Sequence, residues 1–380
     1  MDMKDLRQQI DRADDGLLKS FISRMQTAAD IAVYKQENHL PIFDSERERQ
    51  KVISILEQTP QELKSYAAAL YQQLFDLSRN YQEMTIHPGS PLVETIQHAI
   101  ENTDKNFPKN PMVACQGIEG AYSQLACEKL FSLPNIMYCS SFESVFAAVN
   151  AGLCKYGVLP IENSTAGSIN IIYDLMMHYH FYIVRSTRLK VNHNLLVKPG
   201  TKMEDIKEIF SHEQAILQCA GLIKSMGNVK ITACANTAIA AQQVANSDRN
   251  DIAALSSRYC AELYGLDCLV ESAQDKGNNF TRFITISKEM EIYPGSDKTS
   301  VKLVVAHKPG SLYRILSRFN ALGININKLE SRPIPDRDFE FMLYFDLDTP
   351  IYSEEFLELI NALDLTCEQF EYLGSYLEVI

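Results

Sequence analysis

Three short polar segments lie in one stretch of a 380-residue chain. Residues 158–164 run out of an apolar strand into a turn of carboxyl, amide and hydroxyl groups, Glu162-Asn163-Ser164. Ser211-His212-Glu213-Gln214 repeats the pattern, and Asn279-Phe280-Thr281-Arg282-Phe283 puts a hydroxyl and a guanidinium on a third apolar run. Tyr122-Ser123, Asn236-Thr237 and Ser256-Ser257 likewise set a hydroxyl or amide just ahead of a helical pattern. Each alone reads as a helix N-cap. Gathered at the carboxyl edge of one sheet, they would ring a crevice with backbone donors and positive helix ends. Such a crevice suits a small carboxylate ligand without many basic residues. By chemistry alone Glu162 or His212 would be its proton donor, because the Thr281 hydroxyl is a poor acid.

A different pattern fills the first 84 residues. Leu6, Ile10, Ala13, Leu17, Phe21, Met25, Ala28 and Ala32 recur at three- and four-residue steps with no proline before Pro41. This predicts one long helix, weakest at Gly16. Arg24 and Lys35 fall within about 20° of one face and about 16 Å apart along the axis, so two long cations could lean toward one small anion. Arg7 is about 25 Å from Arg24 by rise and cannot share that anion within one chain. An antiparallel partner helix could supply it. A second helix is expected from Asp44 or Ser45, with Ser45 and Glu48 as a capping box, and a third over 61–83.

The elements that must position the polar segments come next. Residues 85–110 read as a linker (Pro88, Gly89, Pro91, Pro108) enclosing a short helix near 92–101. From 111 to 289, strands expected at 112–116, 155–160, 193–198, 206–210, 229–234, 251–255 and 281–287 alternate with helical patterns. That predicts an α/β domain with a largely parallel sheet, long enough for two lobes and a cleft. Residues 298–380 follow the order βαββαβ. A strand at 298–306 and a Pro309-Gly310 turn lead to a helix at 312–322. Strands at 324–331 and 339–347, a helix at 353–363 and a strand at 367–372 complete the ferredoxin-like α+β arrangement.

The formal charge of −12 argues against nucleic acid or an anionic membrane as partner and leaves small anions open. Nine cysteines without a CxxC pair argue against a disulfide framework or a zinc cluster. The turn from Gly117 to Gly120 lacks the dinucleotide and P-loop signatures, so neither cofactor nor metal is expected. No apolar run approaches the roughly 20 residues of a membrane span, and the charged, amphipathic start does not read as a signal peptide. The expected location is the cytoplasm.

These residues carry resemblances to known families. Residues 111–288 resemble prephenate dehydratase through the string from Gln116 to Ser123, Leu159-Pro160-Ile161-Glu162-Asn163-Ser164, Ser211-His212-Glu213-Gln214, Asn236-Thr237-Ala238 and the segment from Asn279 to Phe283. The chain departs from that family where Gly120-Ala121-Tyr122-Ser123 stands for Gly-Thr-Phe-Ser and where Glu213 replaces a common proline. The first block resembles the all-helical chorismate mutase through Leu6-Arg7-Gln8-Gln9-Ile10-Asp11, Arg24, Lys35, Pro41-Ile42, Asp44, Arg47-Glu48, Ser78 and Gln82. The last block resembles the ACT regulatory domain attached to prephenate dehydratases, through Lys308-Pro309-Gly310-Ser311-Leu312 and Glu330-Ser331-Arg332-Pro333. Ser311 and Tyr313 depart from the Gly-Ala-Leu-Val of that domain.

The resemblances imply a two-lobed, periplasmic-binding-protein-like dehydratase domain between a helical mutase and a sensor. For the mutase they imply a homodimer, or a higher oligomer, that exchanges its long helices. Arg24 and Arg7 of a partner chain would pair with the carboxylates of chorismate. Lys35 and Gln82 would donate to the breaking ether oxygen. Asp44, Arg47, Glu48 and Ser78 would fix the ring hydroxyl or orient the cations, with Glu48 as a cap alone the alternative. For the dehydratase they imply loss of carbon dioxide and water from prephenate to give phenylpyruvate. Thr281 would be the proton donor and Glu162 its rival. Asn163, Ser164, Thr165, Ser211, Gln214 and Thr237 would hold the substrate, and His212 reads more readily as structural. Arg282 would meet a carboxylate or pair with a neighbouring acid. For the sensor they imply phenylalanine held by Gly310, Ser311, Leu312, Glu330, Ser331 and Arg332 between two such domains. The expectation is a two-activity enzyme. The alternatives are a dehydratase whose helical block only dimerises, and a non-catalytic solute receptor.

Overall fold

A computed structural model describes residues 2–86, 89–308, 310–335, 337 and 340–380. Pro88 of the linker, Pro309 of the expected turn and residue 339, the expected start of a strand, lie outside them. Helix α1 (Met3–Glu37) passes unbroken through Gly16. Of its side chains only Ala28 and Ala32 are buried, whereas Ile10 and Leu17 remain 63% and 60% exposed. One chain by itself leaves the amino-terminal half of this apolar stripe uncovered. Helix α2 (Ser45–Gln58) is capped by Asp44, whose carboxylate accepts from the Arg47 N–H at 2.9 Å. The expected capping box of Ser45 and Glu48 does not form, because Asp44 holds the extended cap position and Glu48 is bound by Arg79. A single 3₁₀ turn then leads into α3 (Lys64–Ile86). The linker helix α4 (Pro91–Asn102) starts with proline at its first position, where no amide is missed.

The next segment runs β1 (Met112–Gln116), α5 (Tyr122–Leu130), β2 (Asn135–Cys139), α6 (Phe142–Asn150), β3 (Tyr156–Asn163), β4 (Gly167–Ser168), α7 (Asn170–His178) and β5 (Tyr182–Lys190). It continues as β6 (Asn194–Val197), β7 (Glu208–Ser211), α8 (Glu213–Gln218), α9 (Ala220–Ser225), β8 (Lys230–Ala233), α10 (Thr237–Asn246), β9 (Ile252–Ser256), α11 (Arg258–Tyr264), β10 (Asp267–Val270) and β11 (Phe280–Ser287). Two sheets result, one per lobe: β5-β11-β3-β1-β2, and β10-β6-β9-β7-β8. Both are mixed rather than largely parallel. The chain leaves the first lobe after β5 and returns as β11, which inserts antiparallel between β3 and β5. In the second lobe β6 runs antiparallel to β9 and β10. The two crossings are tied together, Val191 N–H to Asn279 O at 2.8 Å and Ala273 N–H to His193 O at 2.7 Å. Tyr156, Phe131 and Phe283 fill the core of the first lobe. In the second, the alanines at 238, 240 and 241 let α10 settle against Leu196 and Ala254.

The last block shows the expected order: β12 (Lys298–Val304), α12 (Ser311–Ala321), β13 (Asn325–Pro333), β14 (Phe341–Asp348), α13 (Glu354–Thr366) and β15 (Gln369–Val379). Its strands lie in the order β13-β14-β12-β15, and β15 also pairs with β5 of the first lobe. Gly374 (φ 129) permits that approach, since a Cβ there would collide with the Ile183 backbone. The compact units do not follow chain order. One gathers the residues up to Thr95 with Val304–Gly323 and Glu354–Phe370. The other holds Ile96–Leu303, Ile324–Ser353 and Glu371–Ile380. Within the first unit α13 packs on α3, and the Ser90 N–H donates to Asn361 Oδ1 at 2.8 Å. No helix among the described residues is long and apolar enough to cross a membrane.

Candidate functional site

A cavity of about 490 Å³ opens between the two lobes. The ends of β3 and β11 reach it from the first lobe, and Asn163 faces Thr281 across their antiparallel pairing. The Asn163 side-chain oxygen accepts from the backbone of Thr165 at 3.0 Å and of Ala166 at 2.9 Å, and from the Thr165 hydroxyl at 2.7 Å. An oxygen held by three donors fixes which way the amide points. Its nitrogen then donates to Asn279 Oδ1 at 2.7 Å and to Thr281 Oγ1 at 2.9 Å. The Thr281 oxygen thus accepts from the protein, and its own proton is left for a group in the cavity.

Three residues that the sequence reading passed over hold this arrangement. Asn279 donates to Gln218 Oε1 at 2.8 Å, Gln218 donates to the Thr165 hydroxyl at 2.8 Å, and His193 Nε2 meets Gln218 Oε1 at 2.9 Å. Burial pulls the pKa of His193 down, against the opposing pull of Gln218, and so favours a neutral ring. Asn279 opens the third polar segment of the sequence. Gln218 and His193 carried no signal beyond their residue type. From the second lobe, Gln214, Asn236 and Thr237 line the cavity. Asn236 caps α10 through its oxygen, at 2.8 Å from the Ile239 N–H, while its buried amide nitrogen has no hydrogen-bond partner among the described residues. With the amino ends of α5 and α10 beside it, this face is rich in donors. Burial also raises the pKa of Tyr122, whose hydroxyl donates to Asn192 O at 2.6 Å.

Five expected residues, Glu162, Arg282, Ser211, Ser164 and Thr165, sit elsewhere. Glu162 and Arg282 face each other one step along the same strands, so they point to the opposite side of the sheet. There Glu162 lies between Arg282 at 3.1 Å and Lys328 at 2.6 Å, while Arg282, 5% exposed, also pairs with Asp346. Arg282 therefore meets neighbouring acids, and Glu162 does not line the cavity. Ser211 is wholly buried and donates to Leu255 O at 2.7 Å, because its strand turns that side chain into the core. Ser164 clips β3 to the segment ahead of β11, donating to Asn278 O at 3.0 Å and accepting from the Phe280 N–H at 2.9 Å. Thr165 acts on Asn163 rather than lining the cavity. His212 caps α8, its Nδ1 accepting from the Gln214 N–H at 3.3 Å.

The helical unit carries the second expected set. Arg24 Nη1 donates to Leu74 O at 2.9 Å and to the Ser78 hydroxyl. Partial burial lowers its pKa, while Tyr71 and Glu48 act to raise it. Lys35 Nζ reaches Ile42 O at 2.5 Å. Gln82 is buried, and its amide oxygen lacks a hydrogen-bond partner among the described residues. Glu48 accepts from Arg79, a residue absent from the expected set. Arg47 is exposed, as is Arg7 near the far end of α1.

In the last block, Gly310 (φ 85) occupies the cap of α12, and the buried Ser311 accepts from Arg314 Nη2 at 3.1 Å. Leu312 is 36% exposed. On β13, Glu330 accepts from Ser168, Arg332 makes a two-pronged pair with Asp174 at 2.9 Å and 2.9 Å, and Ser331 is exposed. Among the described residues, no three His, Cys, Asp or Glu side chains converge as a metal site would require.

Residues 6–83 match the family model for chorismate mutase type II, and residues 113–291 that for prephenate dehydratase. An arogenate dehydratase/prephenate dehydratase of Arabidopsis thaliana is 37% identical over 281 residues, which is 70% of this chain and 71% of that one. A bifunctional chorismate mutase/prephenate dehydratase of Aquifex aeolicus (strain VF5) is 29% identical over 377 residues, covering 99% of this chain and 98% of that one. Among solved structures, prephenate dehydratase from Arthrobacter aurescens in complex with L-Phe aligns at a TM-score of 0.64 and 25% identity, over 70% of this chain and 89% of that one. A chain described as GqqA, a novel type of quorum quenching acylases, aligns at 0.63 and 30% identity, over 70% of this chain and 97% of that one.

Proposed function

We propose, for a chain that belongs to the prephenate dehydratase family and carries a type II chorismate mutase domain ahead of it, that it converts chorismate to prephenate and prephenate to phenylpyruvate under feedback by phenylalanine. It is an isomerase and a carbon–oxygen lyase in one chain, as the near full-length match to a two-activity relative supports. The observation that carries the lyase half is the Thr281 hydroxyl, which accepts from Asn163 at 2.9 Å and keeps its proton for the cavity.

Prephenate loses its ring carboxylate as carbon dioxide, and the electron pair of that bond enters the ring. Hydroxide departs across the ring and takes the Thr281 proton to become water. The ring is then aromatic, and solvent restores the threonine proton. Asn236, Thr237, Gln214 and the amino ends of α5 and α10 bind the carboxylates. Thr281 is preferred to Glu162 as the donor, since Glu162 pairs with Arg282 and Lys328 on the other side of the sheet. Acyl hydrolysis, the activity named for the GqqA chain, needs a nucleophile with an adjacent base. Here the cavity histidines bond Gln218 and the Gln214 N–H, and neither is hydrogen-bonded to a serine among the described residues.

The mutase step is a pericyclic rearrangement without proton transfer, so catalysis comes from holding a reactive conformer and stabilising charge on the ether oxygen. Arg24, Lys35, Ser78, Gln82 and Glu48 form one chain's share of that site, with Asp44 and Arg47 at its edge and Arg7 supplied by a partner. The uncovered apolar stripe of α1 supports a homodimer at least. The functional division is 1–84 mutase, 85–110 linker, 111–289 dehydratase and 298–380 an ACT domain. Phenylalanine, the ligand in the Arthrobacter structure, binds at Gly310, Ser311, Leu312, Glu330, Ser331 and Arg332. It inhibits by favouring the arrangement to which it binds better. Nine free cysteines support a reducing, cytoplasmic setting.

The deciding experiment supplies chorismate to purified protein with and without phenylalanine. Phenylpyruvate that forms, and falls when phenylalanine is added, is the expected result. Chorismate left untouched while added prephenate is consumed would refute the mutase half and leave a helical dimerisation domain.

A further inference from the structure

Arg79 follows Ser78 on α3, yet its guanidinium turns to α2. Nη1 donates to Glu48 Oε1 and Nη2 to Asp76 Oδ1, three residues back on its own helix. The guanidinium also lies over the Phe43 ring, 5.2 Å from its centre. The side chains of Arg79, Asp76 and Glu48 are only 16%, 15% and 22% exposed, so solvent screens these pairs weakly. A glutamate has three rotatable side-chain bonds, and nothing on α2 itself fixes this one. A planar fork gripped on its other prong does so, in a way a point charge cannot.

We infer that Arg79 is the positioning residue that holds Glu48 in the chorismate site, with Asp76 and Phe43 setting the plane of its guanidinium. The inference rests on the mutase reading above. Asp76 is shared: Arg314 of α12 brings Nη1 to 3.9 Å from the same carboxylate oxygen, and its Nη2 donates to Ser311. The anchor of the mutase glutamate thus touches the first helix of the last block.

The test uses the full chain and two assays, chorismate consumption and prephenate consumption. Arg79→Gln lowers kcat/KM for chorismate roughly ten- to a hundredfold, the range of one hydrogen bond between charged partners. Arg79→Lys recovers part of this, because an ammonium reaches one carboxylate but does not bridge two in a plane. In a Glu48→Gln background, Arg79→Gln adds nothing further, since a residue that acts only through Glu48 has nothing left to position. Prephenate consumption stays at the wild-type rate in every variant, which reports that each chain is folded. Wild-type protein that turns over chorismate, together with an Arg79→Gln variant that matches it or whose loss adds in full to that of Glu48→Gln, overturns the inference alone. Wild-type protein with no chorismate turnover overturns the mutase reading and this inference with it.

Discussion

Replacing Thr281 by valine removes one hydroxyl and almost no volume. Among the described residues the lost oxygen has one partner, the Asn163 amide nitrogen at 2.9 Å, and that nitrogen keeps a second acceptor, Asn279 Oδ1 at 2.7 Å. The stability change is therefore small, about 1 kcal/mol. The Asn163 oxygen stays clamped by Thr165 and Ala166, so the cavity wall keeps its shape. The rate change is large. Without a donor, hydroxide must leave unassisted, which costs about 10²- to 10⁴-fold in kcat, or about 3–5 kcal/mol of barrier. Thr281→Ser keeps the proton and loses only the methyl, and should stay within roughly tenfold of wild type. The assay follows phenylpyruvate from prephenate, with chorismate consumption as the internal control. Given chorismate, the Thr281→Val chain should accumulate prephenate. A Thr281→Val enzyme within tenfold of wild type on prephenate would refute the assignment, and Glu162 would return as the donor to test.

Three further outcomes follow from the same geometry. Mixing Arg7→Ala chains with Lys35→Ala chains, each inactive on chorismate, should restore about a quarter of the sites if every site draws on two protomers; no recovery after subunit exchange argues for a site within one chain. Asp346→Ala strips the buried Arg282 of a partner and should cost about 3–5 kcal/mol in denaturant unfolding, whereas a change below 1 kcal/mol would mean that solvent reaches the guanidinium. The Glu208 carboxylate is held down to about 2 by hydrogen bonds from Lys230, Thr232 and Arg249. A depressed carboxylate stabilises the fold above its unfolded pKa of about 4.3, and that stability fades as pH falls toward 2. Glu208→Gln should therefore flatten the fall of Tm across that window; an unchanged acid limb would contradict it.

Much of the fold was legible along the chain. The long period of α1, the proline-marked breaks before α2, α3 and α4, and the βαββαβ order of the last block all follow from local pattern. Strand direction did not. Alternating strand and helix suggested a largely parallel sheet, but β11 closes the first lobe only after the chain has built the second, a long-range return with no local signature. Strands β2, β4, β5 and β10 are likewise absent from the expected set. β2 buries a single residue, and β5 mixes charged with apolar residues, so neither offers the continuous apolar run used to find the others.

Within the site, local residue order is enough for the chemical kinds present and their anchoring turns: Asn163 and Thr281 at strand ends, Asn236 as a cap, Arg24 and Lys35 on one helical face. It also required that Glu162 and Asn163, as neighbours on a strand, point opposite ways. Which of the two faces the cavity between the lobes comes only from packing. That depends on what covers each face of β3: the second lobe, bringing Gln214 and Thr237 to the Asn163 side, or Lys328 and Asp346, bringing counter-charge to the Glu162 and Arg282 side. The same holds for Ser211 buried on Leu255, for Gln218 and His193 drawn in behind Asn279, and for Arg79 turned toward Glu48. Periodicity fixes relative facing within an element. The partner on each face comes from residues far away in the chain, and only packing brings them there.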